Sequence, residues 1–204
     1  MGICYYRNGD IFYGEWSQNL FHGSGVYLFT NGETYEGNLV EGRKSGEGTY
    51  IYVNGNVYVG EWREDKKNGY GEYIYFNTSE KYVGNFVNNK RDGEGTYYFP
   101  HGERYEGQFK KNKRDGRGTL FYSSGSILQG QWKEDLADGF GVFQYVNGDL
   151  YEGSFKRGKK EGVGNINKEN INTQMEVSTM EIGKQIVKRV KVIVIRRFYL
   201  CKSR

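Results

Sequence analysis

His22 and His101 are the two histidines of this 204-residue chain, and Cys4 and Cys201 are its two thiols. Acid–base or nucleophilic catalysis needs such a group within hydrogen-bond reach of a base or an orienting partner. Neither histidine has a promising setting: His22 stands beside a loop glycine and His101 in a turn, where a lone histidine reads as solvated. The paired acids Glu64/Asp65 and Glu134/Asp135 fall in loops with lysines beside them and read as surface. The many glycines do not make a phosphate loop, because no Gly-x-x-x-x-Gly-Lys-Ser/Thr occurs. Nor do the Gly-x-Gly pairs resemble a dinucleotide fingerprint, since no helix follows them. The cysteines lie at opposite ends of the chain, which gives neither a disulfide framework nor a metal-binding spacing. The residues therefore predict a protein that is not an enzyme and holds no cofactor or metal, in a reducing compartment.

What the sequence does repeat is a way of making sheet. The stretch from Tyr50 to Trp62, YIYVNGNVYVGEW, alternates rings and aliphatics on both sides of Asn54-Gly55. It predicts a β-hairpin with a two-residue type I′ turn at that dipeptide. The second strand has the form aromatic-x-Gly-x-aromatic and returns as Phe12/Gly14/Trp16, Tyr35/Gly37/Leu39, Tyr58/Gly60/Trp62 and Tyr82/Gly84/Phe86. It continues as Tyr105/Gly107/Phe109, Leu128/Gly130/Trp132 and Tyr151/Gly153/Phe155. The period is about 23 residues, within the range of repeat architectures. Gly-x-Gly precedes each later hairpin, from Gly23/Gly25 to Gly139/Gly141, and a last pair, Gly162/Gly164, has no intact hairpin after it.

Tyr-x-Gly-x-Trp, a loop of six or seven residues, then Gly-x-Gly with a tyrosine shortly after, resembles the MORN repeat family. The likeness spans residues 2 to 164. It implies an all-β, single-layer antiparallel solenoid of hairpins acting as an interaction scaffold. MORN-only chains of this kind look like radial-spoke-head or cell-cortex components. The resemblance therefore implies cytoskeletal or axonemal protein partners and a cytoplasmic chain at the cytoskeleton or cilium. A lipid role associated with the family implies, as the alternative, a membrane-surface adaptor.

Elementary geometry agrees with the solenoid. Side chains alternate faces along a strand, so Tyr58, Gly60 and Trp62 share one face, and each glycine leaves a gap for a ring of the next strand. Stacked hairpins stabilise one another in one dimension and reach about 65–70 Å at two strands per unit. The in-phase tyrosines are thus read as core. The opposite face carries Leu28, Ile51, Ile74, Phe76, Tyr98, Phe121 and Val146. A contiguous apolar strip on a single-layer sheet suits a partner helix or a second copy of the chain. With the rings needed inside, nucleic acid is not expected as a partner.

Residues 1–164 hold 20 Lys+Arg and 22 Asp+Glu, whereas 165–204 hold 9 and 3. The loops between hairpins nevertheless concentrate cations, among them Lys66, Lys67, Lys90, Arg91, Lys113, Arg114, Lys159 and Lys160. They predict a basic edge able to meet acidic proteins or anionic lipid. The repeat decays from Asn165: residues 165–174 read as a polar linker or an eroded eighth unit, and 165–204 together as a linker and basic C-terminal cap or tail. Its cations include Lys188, Arg189, Arg196 and Arg197 around the β-branched run 192–195. Helix and strand both fit that run. An edge cap, a basic amphipathic membrane or partner segment, and disorder all remain open for it. The opening MGICYYRNGD reads as the first hairpin and not as a signal peptide. Tyr6 stands where the myristoylation pattern wants Ser or Thr. No apolar run reaches the length of a transmembrane helix.

Overall fold

Because the chain alternates ring and glycine with period two and turns over every few residues, each strand can pair only with its sequence neighbours. The computed structural model describes residues 1–168, and the strands follow in chain order: β1 (Gly2–Tyr5), β2 (Ile11–Ser17), β3 (Leu20–Leu28), β4 (Thr34–Val40), β5 (Arg43–Ile51), β6 (Val57–Arg63), β7 (Lys66–Tyr75) and β8 (Glu80–Val87). The second half comprises β9 (Lys90–Tyr98), β10 (Arg104–Lys110), β11 (Lys113–Phe121), β12 (Ile127–Lys133), β13 (Leu136–Gln144), β14 (Asp149–Lys156) and β15 (Lys159–Lys168). They form one antiparallel sheet of 15 strands in sequence order.

Register explains the glycines. From Gly2 to Gly153 a glycine faces a glycine in every neighbouring strand, as in Gly48↔Gly60, Gly60↔Gly71, Gly71↔Gly84 and Gly84↔Gly95. This bare stripe is where the rings lie. A Cβ on Gly71 would stand 2.5 Å from the Tyr58 hydroxyl oxygen, and one on Gly95 would stand 2.4 Å from that of Tyr82. Tyr35, Tyr58, Tyr82, Tyr105 and Phe12 are consequently sealed from solvent within a single layer.

Burying a phenol requires a partner for its hydroxyl, and the ladder supplies one. Pairing slips between Gly60 and Trp62, and Glu61 falls in the gap. Tyr58 donates to the Glu61 carbonyl at 2.9 Å. The same bond recurs from Tyr35 to Asn38 at 2.7 Å, Tyr82 to Asn85 at 2.9 Å, Tyr105 to Gln108 at 3.1 Å and Tyr151 to Ser154 at 3.0 Å. Trp62 and Trp132 reach back with their indole N–H groups to the carbonyls of Gly48 and Gly118, both at 3.1 Å.

The turns differ from the sequence reading. Asn54 keeps a negative φ and Gly55 alone is left-handed at 84°. Gly55 donates to Tyr52, and Tyr52 to Asn56. This is a type I turn with a glycine bulge, because Val53 lengthens the loop to three residues. The type I′ turns lie instead in what read as inter-hairpin loops, at Glu64-Asp65, Asn88-Asn89, Lys111-Asn112 and Glu134-Asp135, where both residues have positive φ. Asn and Asp tolerate that conformation, and a neighbouring repeat holds them there. Asn89 donates its backbone N–H to Lys67 at 2.9 Å, and its side chain accepts from the Lys67 N–H at 2.8 Å. The long loops thus shrink to two residues, and their basic flanks become strand. β15 carries the ladder on to Lys168, so residues 165–168, for which the sequence left a linker and an eroded repeat both open, pair with β14.

Candidate ring-face groove

Once the loops are strands, period two separates each pair of neighbouring cations. Lys66, Lys90, Lys113 and Lys159 are exposed and paired with Arg63, Val87, Lys110 and Lys156 near the turn edge of the outer face. Their neighbours Lys67, Arg91, Arg114 and Lys160 pair with Trp62, Phe86, Phe109 and Phe155, which belong to the ring face. Lys44 has the same place opposite Leu39. The predicted basic edge is therefore two rows on opposite faces. Lys188, Arg189, Arg196 and Arg197 lie outside the described residues.

On the ring face each cation stands over aromatic planes. Lys44 lies 4.7 Å from the Tyr50 centroid and 5.0 Å from that of Trp62. Lys67 lies 4.4 Å from Tyr73, Arg91 4.9 Å from Tyr97, and Arg114 4.6 Å from Trp132. Lys160 lies 4.3 Å from both Phe143 and Tyr145 and donates to the Tyr145 hydroxyl. At the remaining repeats the position holds Phe21 and Ala137. Beside the cations runs an unbroken file of rings, the buried Tyr50 and the half-buried Tyr27, Phe29, Tyr52, Tyr73, Tyr75, Tyr97 and Phe99. Successive centroids are 4.3 to 6.1 Å apart. A cleft opens between the two files, lined by Arg91, Tyr97, Phe99, Phe109, Arg114 and Asp135.

Arg114 has an ion-pair partner, Asp135 at 3.3 Å. Among the described residues Lys44, Lys67, Arg91 and Lys160 have none within 4.0 Å. Burial pushes the Lys67 ammonium down to about 8, from an ordinary 10.5. Burial also lowers Lys44, against the opposing fields of Asp65 and Glu33. A cation over rings gains some attraction, but a desolvated unpaired ammonium still costs stability. Between the folded and ordinary values the unfolded chain holds a proton on Lys67 that the folded chain lacks, so stability rises with pH in that window. Entering that window from pH 7 to 8.5, where the tyrosines of the unfolded chain are still almost wholly protonated, the gain is about 1 kcal/mol at most, or about 2–3 °C in Tm. In Lys67→Met that rise is expected to vanish and the Tm at pH 7 to increase. Thermal melts across the two pH values check both.

The apolar residues assigned to the other face divide similarly. Leu28, Ile51, Ile74, Tyr98 and Phe121 fall in one cross-strand row, bridged by Thr34, Val57, Lys81 and Arg104. Lys81 stands 4.8 Å over Tyr98 and pairs with Glu72 at 3.3 Å. Arg104 stands 3.7 Å over Phe121 and pairs with Glu106 at 2.7 Å. Here both cations are neutralised in place, whereas on the ring face only Arg114 is, among the described residues. Phe76 and Val146 instead sit at the turn edge, against Gly55 and Gly125 of the preceding repeats. His22, on β3, and His101, in a turn, are both exposed.

The MORN repeat profile matches residues 12–34, 35–57, 58–79, 82–104, 105–127, 129–150 and 151–165. No curated protein matches the chain. Similar solved structures include the Drosophila melanogaster SAS-4 (dCPAP) TCP domain in complex with a proline-rich motif of Ana2 (dSTIL). It is 17% identical with a TM-score of 0.44, over 65% of this chain and 73% of that one. The Danio rerio CPAP TCP10 domain in complex with a STIL peptide is 14% identical with a TM-score of 0.43, over 69% of this chain and 63% of that one.

Proposed function

The chain belongs to the MORN repeat family, and we propose that it is a non-catalytic scaffold docking cytoskeletal protein partners at the ciliary axoneme or cell cortex. The observation that carries this reading is the division of labour among its polar groups. The tyrosine hydroxyls and turn Asn/Asp residues are occupied in building the ladder. What remains is a row of cations in regular register, of which Lys44, Lys67, Arg91 and Lys160 have no carboxylate within 4.0 Å among the described residues, although Lys67 and Lys160 donate to tyrosine hydroxyls and Arg91 to the Asn112 carbonyl. Such an array can fix the spacing of what it binds but assembles no nucleophile, base and orienting group. The cytoskeletal identity of the partner rests on the family resemblance.

The exposed lysines of the outer face, Lys66, Lys90, Lys113 and Lys159, favour a second reading, an adaptor on an anionic membrane surface with the tail as co-anchor. Co-sedimentation of the purified full chain with detergent-extracted cytoskeletons, beside flotation with phosphatidylserine vesicles, separates the two. The scaffold pellets with the cytoskeletons and does not float. If it floats, and Lys188, Arg189, Arg196 and Arg197→Gln together abolish flotation, the adaptor reading replaces it.

A further inference from the structure

We propose that the ring face is a groove for an extended acidic segment of a partner protein, running across the strands with one carboxylate at every third residue. This rests on the scaffold reading and gives its partner a chemistry. Lys44, Lys67, Arg91 and Arg114 occupy equivalent registers in successive repeats, opposite Leu39, Trp62, Phe86 and Phe109. Two strands separate each from the next, so the charges recur about every 10 Å. A polyproline II chain rises about 3.1 Å per residue, which brings every third residue to a new cation. Four carboxylates at that spacing span the row in about ten residues.

The ring file gives the intervening residues their seat. Proline-rich extended chains dock aromatic-lined grooves because they are already stiff and lose little entropy. Tyr52, Tyr73, Tyr75, Tyr97 and Phe99 offer such planes, only partly covered, beside Lys67 and Arg91. At Lys44 and Lys67 the fold supplies no carboxylate for the charge among the described residues, whereas Arg91 also donates to the Asn112 carbonyl at 2.7 Å and Arg114 is paired with Asp135. The stem of Lys67 covers rings, and methionine would cover them as well without a desolvated cation. Cations repeated in register without a carboxylate partner, as at Lys44, Lys67 and Arg91, mark a site whose counter-charge comes from elsewhere. An α-helix with a carboxylate every seventh residue rises about 10.5 Å per interval and is the competing geometry.

The test is fluorescence anisotropy on the full chain with a labelled peptide of four Glu-Pro-Pro units. One control has the same composition with its glutamates contiguous, and a second is helical with glutamate every seventh residue. The spaced peptide is expected to bind at least tenfold more tightly than either control. Lys67→Met should weaken it at least tenfold without lowering the Tm, and Arg91→Met at least tenfold with a small loss of Tm from its bond to the Asn112 carbonyl, while Lys66→Met and Lys90→Met on the outer face change it less than twofold. Equal binding of the spaced and contiguous peptides, preference for the helical one, or indifference to both ring-face variants overturns the proposal. So does binding of phosphatidylserine vesicles in place of any peptide. If no peptide binds but the chain still pellets with cytoskeletons, the groove assignment alone is wrong. If it pellets with none and floats with vesicles, the scaffold reading falls too.

Discussion

Gly60→Val is expected to lower the melting temperature by about 10 °C or more. A Cβ at Gly60 would lie 2.4 Å from the Cα of Gly71 and 2.6 Å from the carbonyl oxygen of Tyr70. Both are backbone atoms of the adjacent strand, so no rotamer change relieves the clash. The strands would have to part at the glycine stripe, and the Tyr58 ring would lose the surface it lies on. Overpacking with no room to relax costs about 4 kcal/mol or more, and a chain of this size loses about 2–4 °C per kcal/mol. Each repeat is stabilised only by its neighbours, so a parted ladder should also weaken the adjoining hairpins. Calorimetry of the variant reads the effect, and an unchanged melting temperature would show that the glycine stripe is not the floor of the core.

Tyr82→Ala should cost about 3–5 kcal/mol. The ring is fully buried and meets Phe86 and Phe109 edge-on, with both centroids at 5.1 Å. Its loss leaves a cavity over Gly95 that the bare stripe cannot fill. Tyr82→Phe keeps the ring and removes only the hydroxyl, stranding the Asn85 carbonyl, for about 1–2 kcal/mol. Urea denaturation of the pair measures both values. A phenylalanine variant as unstable as the alanine one would mean that the hydroxyl, and not the ring, holds the hairpin.

These residues were legible because ring and glycine obey the period of the strand. Tyr82, Gly84 and Phe86 announce a common face, and the repeat announces that neighbouring strands carry the same pattern. The turns were not legible. Asn54-Gly55 looked like a type I′ turn, but the three-residue loop made by Val53 sets its geometry. The true type I′ turn at Asn88-Asn89 has no glycine, and it is held from outside by Lys67 of the preceding repeat. Such a bond between repeats has no local signature. Reading those turns as long loops hid the cation row as well. Had Lys66-Lys67 and Lys90-Arg91 been placed on strands, the same alternation that sorted the tyrosines would have turned the second member of each pair onto the ring face. The cations then read as a mere basic edge, and their placement over Tyr73 and Tyr97 depends on packing that no dipeptide specifies.

The most direct measurement is detergent fractionation of cells expressing the tagged full chain. The scaffold account predicts that the protein stays in the detergent-resistant cytoskeletal pellet. Release of the protein with the detergent-soluble membranes would contradict it.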